Sequence, residues 1–186
     1  MNKIIAFGAS SSKNSINKKL ASYVANKIAN QEASILDLND FEMPIYSEDR
    51  HAEEGVPQKA LEFKKIINES KGLVISLAEH NGSYTAAFKN IYDWISVIEK
   101  TVWSNKPILL MSTSDGARGG KTVLELALSR FSRQSNFEIP HFIFPSFFEN
   151  FSEELGITNQ KLNTELDKQI NEFKNQVDTL LDSGNN

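Results

Sequence analysis

Leu73-Val74-Ile75-Ser76-Leu77-Ala78-Glu79-His80-Asn81-Gly82-Ser83-Tyr84, running on into Phe88-Lys89-Asn90-Ile91-Tyr92-Asp93-Trp94, is the stretch on which the fold turns. Its first five residues are an apolar run with the length and composition of a buried strand. Phe88, Ile91, Ile95 and Ile98 then recur at helical spacing. Between the two lies a polar, glycine-containing loop. A loop at the carboxyl end of a strand, just ahead of a helix, is where open α/β sheets bind ligands.

Outward from this unit the same alternation repeats. Toward the amino terminus, Ile4 to Phe7 is a short apolar run ending at Gly8, and Ile16, Leu20, Val24 and Ile28 form a helical stripe. Ala33 to Leu38 reads as a second, weaker strand. Residues 39–56, rich in Asp, Glu, Pro and Gly, read as a loop, with the acidic part at 47–54 either a solvated turn or a lid. Pro57 suits a first helical turn, with Ala60, Phe63 and Ile67 on one face. Toward the carboxyl terminus, Pro107 to Met111 is a fourth strand, and Leu124, Ala127, Leu128 and Phe131 mark the next helix. Ile139 to Phe144 is a fifth strand. Leu162, Leu166, Ile170, Phe173, Val177 and Leu180 give the cleanest helical stripe of all.

Strict alternation implies a parallel sheet with helices on both faces, joined by right-handed crossovers. Pro140 cannot donate to a ladder, which places strand five at an edge. The order 2-1-3-4-5 satisfies that requirement. The expectation is therefore a three-layer α/β sandwich around a five-stranded parallel sheet, in one domain over residues 1–182 with a frayed tail at 183–186.

The chain has 186 residues, 40% of them hydrophobic and 24% charged, with a formal net charge of −4 at pH 7. That is ordinary for one globular domain and argues against nucleic acid as a partner. Cysteine is absent, which excludes disulfides, thiolate catalysis and Cys-ligated metals. Met1-Asn2-Lys3-Ile4-Ile5-Ala6-Phe7 reads as the first strand and not as a signal peptide, because its apolar run is too short. No apolar run reaches the roughly 20 residues of a membrane helix. A cytoplasmic location fits these features.

In the 2-1-3-4-5 order, the loops after strands one, three and four crowd one edge. The first is Ala9-Ser10-Ser11-Ser12-Lys13-Asn14-Ser15-Ile16-Asn17, which leads into a helix whose start offers unpaired N–H groups. This is a site for a phosphate; the alternative is that Asn14 or Ser15 only caps the helix. The loop after strand four is Ser112-Thr113-Ser114-Asp115-Gly116-Ala117-Arg118-Gly119-Gly120, whose glycines let backbone approach a flat ligand; the alternative is that it is only a flexible turn. Together the three loops favour a flat, polar-edged ligand bearing a phosphate.

Near misses narrow the choice. Gly119-Gly120-Lys121-Thr122 resembles the end of a Walker A loop, but Asp115 stands where the leading glycine belongs. A dinucleotide fingerprint needs three glycines after strand one, and only Gly8 is present, so Asp37 reads as a turn residue. A phospho-receiver domain would need acidic residues after strand one. His51 and His141 show no ligand spacing, so no metal site is expected. Trp94 reads as core or subunit interface, Lys89 and Asp93 as an i,i+4 ion pair. Phe142, Phe144, Phe147, Phe148 and Phe151 read as packing, some of it overhanging a ligand or a partner subunit.

These motifs together resemble the NAD(P)H-dependent FMN reductase family of the flavodoxin-like fold, which includes quinone, azo-dye and chromate reductases. The first loop is similar to that family's Gly-Ser-x-Arg-x-x-Ser-x-Asn followed by Leu-Ala, here Leu20-Ala21. Ala78-Glu79-His80-Asn81-Gly82-Ser83-Tyr84-Thr85 is similar to Pro-Glu-Tyr-Asn-x-Ser-x-Pro, and Phe88 to Trp94 to Leu-Lys-Asn-x-x-Asp-Trp. Ser112, Ser114, Gly119 and Gly120 are similar to its Ser-x-Ser with a following Gly-Gly. Ser12, Ala78, His80 and Thr85 stand where the family carries Arg, Pro, Tyr and Pro.

The resemblance implies an FMN-dependent oxidoreductase. Hydride would pass from NADPH or NADH through the flavin to a small-molecule electron acceptor such as a flavin, quinone or azo compound. Ser10, Ser12, Ser15, Ile16 and Asn17 would cradle the phosphate. Glu79, His80, Asn81, Gly82 and Ser83 would border the ribityl chain and ring. Ser114, Asp115, Gly116 and Arg118 would meet the ring's polar edge, with Arg118 a possible stabiliser of negative charge. No protein side chain is required as a catalytic acid, base or nucleophile. A homodimer or homotetramer is implied. The alternatives are a flavodoxin-like electron carrier and a degenerate member without catalysis.

Overall fold

Alternating apolar residues on each central strand build two separate cores. Ile5, Phe7 and Ala9, Leu73, Ile75 and Leu77, and Ile108 and Leu110 face one side. Ile4 and Ala6, Val74, Leu109 and Met111, and Phe142 and Phe144 face the other. A strand buried on both faces has no polar face to show, which is the signature of a parallel sheet covered by helices.

The computed structural model describes residues 3–29 and 32–183. Its main sheet comprises β1 (Ile4–Ala9), β2 (Ser34–Ile35), β3 (Gly72–Leu77), β6 (Ile108–Thr113) and β7 (His141–Phe144). The order is β2-β1-β3-β6-β7, every pair parallel. This is the 2-1-3-4-5 arrangement of a flavodoxin-like fold. Two short hairpins lie outside the sheet: β4 (Glu79–His80) with β5 (Ser83–Tyr84), and β8 (Phe151–Ser152) with β9 (Gly156–Ile157).

Helices α3 (Gln58–Asn68), α4 (Ala86–Ile98) and α5 (Lys121–Phe131) cover the first core. Helices α1 (Ile16–Ala29) and α7 (Gln160–Ser183) cover the second, with Phe147 of α6 (Phe147–Asn150). α7 follows the expected stripe, burying Leu166, Ile170, Phe173 and Val177. The last residues of the expected frayed tail, 184–186, lie outside the described residues, as do Met1 and Asn2.

Three details differ from the sequence reading. Residues 39–56 are not all loop: they hold a 3₁₀ turn, Leu38–Phe41, and a helix, α2 (Glu48–Glu54). Ser47 caps α2 by accepting from Arg50 N at 3.2 Å, and acidic Glu48 and Asp49 fill its first turn. It buries no residue, so it carries no apolar stripe. The second strand shrinks to Ser34–Ile35. Pro140 sits just before β7 instead of within it, where its carbonyl still accepts from Leu110 N at 3.0 Å; β7 is an edge strand, as expected.

Candidate functional site

The close approach of α1 to β1 sets the site. A Cβ on Gly8 would lie 2.2 Å from Lys18 N, so only glycine lets the helix start this near the strand end. Asn17, 3% exposed, fixes the contact. Its Nδ2 donates to Thr113 O at 3.1 Å, while its Oδ1 accepts from Ser76 Oγ at 2.7 Å and Thr113 N at 3.2 Å. One amide thus ties α1 to β3 and β6.

The other loops are tied to one another in the same way. Thr85 caps α4 by accepting from Phe88 N at 3.2 Å, and its hydroxyl donates to Ala9 O at 2.9 Å. Glu79 Oε2 accepts from Val123 N at 2.9 Å, which joins the loop after β3 to the first turn of α5. Ser146 N donates to Gly116 O and Phe147 N to Ser114 O, each at 3.0 Å. The loop after β6 therefore holds the turn after β7.

Asn81 and Gly82 have φ of 52° and 74°, the left-handed pair of a two-residue hairpin turn between β4 and β5. The asparagine-glycine step was the sequence signal for this hairpin, and its two-residue strands are too short to show alternation. Its effect is to turn His80 outward at the ligand edge.

Where these loops converge lies an open cleft of about 280 Å³. Ser10, Ser12, Ser15, Ile16, Asn17, Glu79, His80, Ser114 and Asp115 line it, as do Asn14, Ala78, Thr113 and Phe148. Asn81, Gly82, Ser83, Gly116 and Arg118 do not. The first three form the exposed hairpin tip, and Arg118 Nη2 donates to Thr122 Oγ1 at 2.9 Å. Phe148, read from sequence as one of a packing cluster of which some overhangs a ligand or a partner subunit, is the largest apolar side chain of the wall, which Ile16 and Ala78 also line.

The donor set suits a phosphate-bearing ligand. N–H groups in the first turn of a helix have no intrahelical acceptor. In α1 that of Lys18 is taken by Ser15 Oγ at 3.2 Å, while Ile16 and Asn17 line the cleft. The hydroxyls of Ser10, Ser12 and Ser15 and the amide of Asn14 add short, polar groups. No Lys or Arg is among the lining residues. Lys13, Lys18 and Lys19 flank Ser15 in an adjoining groove. Lys18 pairs with Asp37 and Lys19 with Glu153. The Lys18 ammonium holds the Asp37 carboxyl below the usual carboxylate range, helped by the Asn39 N–H. Asp37 is thus a turn residue, as its context in the sequence implied, and also an ion-pair partner.

The motif on α4 has an architectural role. Asn90 Nδ2 donates to Met43 O at 3.0 Å and Pro44 O at 3.1 Å, and its Oδ1 accepts from Tyr46 N at 2.9 Å. Trp94, fully buried, donates from Nε1 to Pro44 O at 2.7 Å. Lys89 and Asp93 form the expected ion pair at 2.7 Å. Among the described residues no group of His, Asp and Glu side chains is placed to hold a metal, and no helix is long and apolar enough to cross a membrane.

Residues 2–149 match the family of NADPH-dependent FMN reductases. An uncharacterized protein of Mycoplasma pneumoniae is 31% identical over 128 residues, 65% of this chain and 74% of that protein. A 2-hydroxy-1,4-benzoquinone reductase of Burkholderia is 34% identical over 118 residues, 63% of each chain. The fold is shared with the flavoenzyme NAD(P)H:(acceptor) oxidoreductase FerB from Paracoccus denitrificans, with a TM-score of 0.74 at 21% identity over 96% of this chain and 98% of that one. A family match that includes all the loops around a hydroxyl-lined cleft at the carboxyl ends of β1, β3 and β6 places the chain in the NADPH-dependent FMN reductase family, as an oxidoreductase linking NAD(P)H to acceptors through FMN.

Proposed function

We propose that the cleft is the FMN site of a reductase whose acceptors are small quinones. The observation that carries the site is the convergence of loops from β1, β3, β6 and β7 on one cleft, with the open first turn of α1 among its walls. When bound, FMN would supply the redox chemistry that links NAD(P)H to the acceptor.

The chain's own groups bind and orient. The Ile16 and Asn17 N–H groups and the Ser10, Ser12 and Ser15 hydroxyls would hold the phosphate. Glu79, His80, Ser114 and Asp115 would border the remainder of the ligand, with the hairpin tip Asn81, Gly82 and Ser83 beside them. Gly116 and Arg118, on the same loop as Ser114 and Asp115, would meet the ligand's polar edge, and Arg118, whose Nη2 donates to Thr122 Oγ1 at 2.9 Å, would stabilise negative charge there. Replacing Arg118 by Ala should lower flavin affinity or reduction rate; no change in either removes Arg118 from the site.

Support for quinones comes from the Burkholderia relative and from the quinone reductase of Escherichia coli K12, 33% identical over 79 residues. The reading also includes a single FMN-binding domain over 1–182, a homodimer or homotetramer, and a cytoplasmic location, where pyridine nucleotides are available. The apolar groove that Leu38, Phe41, Met43, Ile91 and the 78% exposed Ile45 line favours self-association. Sedimentation would test that.

The test of function is a visible spectrum titrated with FMN, then with NADPH or NADH without oxygen, then with a benzoquinone. Flavin binding, bleaching by the nucleotide and recovery with the quinone are expected. Bound flavin that neither nucleotide bleaches would overturn the reductase reading in favour of a carrier.

A further inference from the structure

Phe148 is the exception in its own cluster. Phe142 and Phe147 are 2% exposed and Phe144 is fully buried, whereas Phe148 is 71% exposed. Phe151 stacks on Phe147 at 4.7 Å between centroids, and Phe148 touches only the edge of that stack, 5.5 Å from Phe147 at 87°. Packing therefore does not account for its position.

The backbone holds it there. Ser146 takes φ 45° and ψ 61°, a left-handed conformation that costs a residue with a Cβ free energy. Two hydrogen bonds of 3.0 Å, Ser146 N to Gly116 O and Phe147 N to Ser114 O, fix the turn to the loop after β6. Phe147 goes into the core and the next side chain goes out. The phenyl ring then lines the cleft with His80, Ser114 and Asp115 from the neighbouring loops.

We propose that Phe148 is a binding residue, an aromatic wall against which the planar ring of a bound flavin packs. The inference rests on the reading of the cleft as the FMN site. An aromatic ring held in water by a strained, doubly tethered turn is preorganised to pack on a flat apolar surface. Apart from Ile16, Ala78 and the His80 ring, the remainder of the lining is hydroxyl, amide and carboxylate, so Phe148 is the largest apolar side chain offered to the ligand's flat face. The role is separable from phosphate binding, because the donors of residues 10–17 are on a different loop.

The test uses the full chain with Phe148→Ala and Phe148→Trp, titrated with FMN and with riboflavin, which lacks the phosphate, by quenching of flavin fluorescence. Phe148→Ala should raise the Kd of both flavins by the same factor, roughly tenfold, the scale of one aromatic stacking contact. Phe148→Trp should restore affinity and deepen the quenching. The side chain is exposed, so both variants should melt like the parent. Unchanged affinity for both flavins in Phe148→Ala overturns the proposal while leaving the cleft as the FMN site. Loss confined to FMN also overturns it, since that marks a phosphate-end effect. A parent chain that binds neither flavin overturns the site and this inference together.

Discussion

Replacing Asn17 by Ala tests whether this residue of the first motif serves the ligand or the architecture. The side chain makes three hydrogen bonds, to Thr113 O, Ser76 Oγ and Thr113 N. At about 1 kcal/mol net for each, the variant loses about 3 kcal/mol. Ser76 is 0% exposed and Thr113 1%, so groups left without partners would add to that. Asn17 lines the open cleft, so solvent access to part of the gap should keep the total near the lower figure. About 3 kcal/mol is a large part of a typical domain's stability of roughly 5–15 kcal/mol. For a chain of this size it lowers Tm by roughly 6–12 °C. Urea denaturation should show a lower midpoint with unchanged slope. The backbone N–H groups of Ile16 and Asn17 remain, so the folded variant should bind FMN within about threefold of the parent, a loss well under the 1.4 kcal/mol of a tenfold change. A loss of FMN binding with stability intact would refute the reasoning and make the side chain a ligand group.

Gly8→Ala puts a Cβ 2.2 Å from the Lys18 backbone nitrogen, which no rotamer can relieve; it should cost about 3 kcal/mol or leave the chain insoluble, read by denaturation or soluble yield. Glu79→Ala removes the acceptor for Val123 N and should cost about 1 kcal/mol, as for other helix-cap losses, while Glu79→Gln, which keeps an acceptor oxygen, recovers most of it in the same melts. Tyr84→Phe should be neutral or stabilise by up to about 1 kcal/mol, because the Tyr84 hydroxyl is buried without a partner. Burial, then the neighbouring Tyr92, raises the Tyr84 pKa above its usual 10. The unfolded chain then loses this proton from about pH 10 while the native state keeps it, so parent stability should fall as pH rises beyond 10 and the variant's should fall less.

The strands and most helices were legible because their apolar residues keep a period. Pro140 placed the edge strand, and the stripe from Leu162 to Val177 found α7. What escaped lacked a period. Helix α2 buries nothing, so only its Ser47 cap, its acidic first turn and Gly55 beyond its end betrayed it. The hairpin of Glu79 to Tyr84 was carried by two residues, Asn81 and Gly82. The clamps made by Asn17 and Asn90 depend on partners 96, 59 and 44–47 positions away, which no local window can connect. The direction of Phe148 depends on the backbone at Ser146, and a serine does not announce a left-handed turn.

The cleft shows a division of labour that follows from burial. Long or bifunctional side chains of the motif loops are used inside the protein: Asn17 joins α1 to two strands, Thr85 reaches Ala9, Glu79 reaches α5, and Asn90 and Trp94 hold residues 43–46. What remains to face a ligand are backbone N–H groups, serine hydroxyls, the Asn14 amide, the Asp115 carboxylate and the rings of His80 and Phe148, mostly short groups with little freedom to lose. Such groups lose little freedom when a site fills, so more of the interaction energy survives as affinity. On the FMN reading, the same logic would let Ser12 stand where the family motif carries arginine. The first turn of α1 presents its dipoles in fixed positions, and fixed dipoles at a helix start favour an anion without a paired cation.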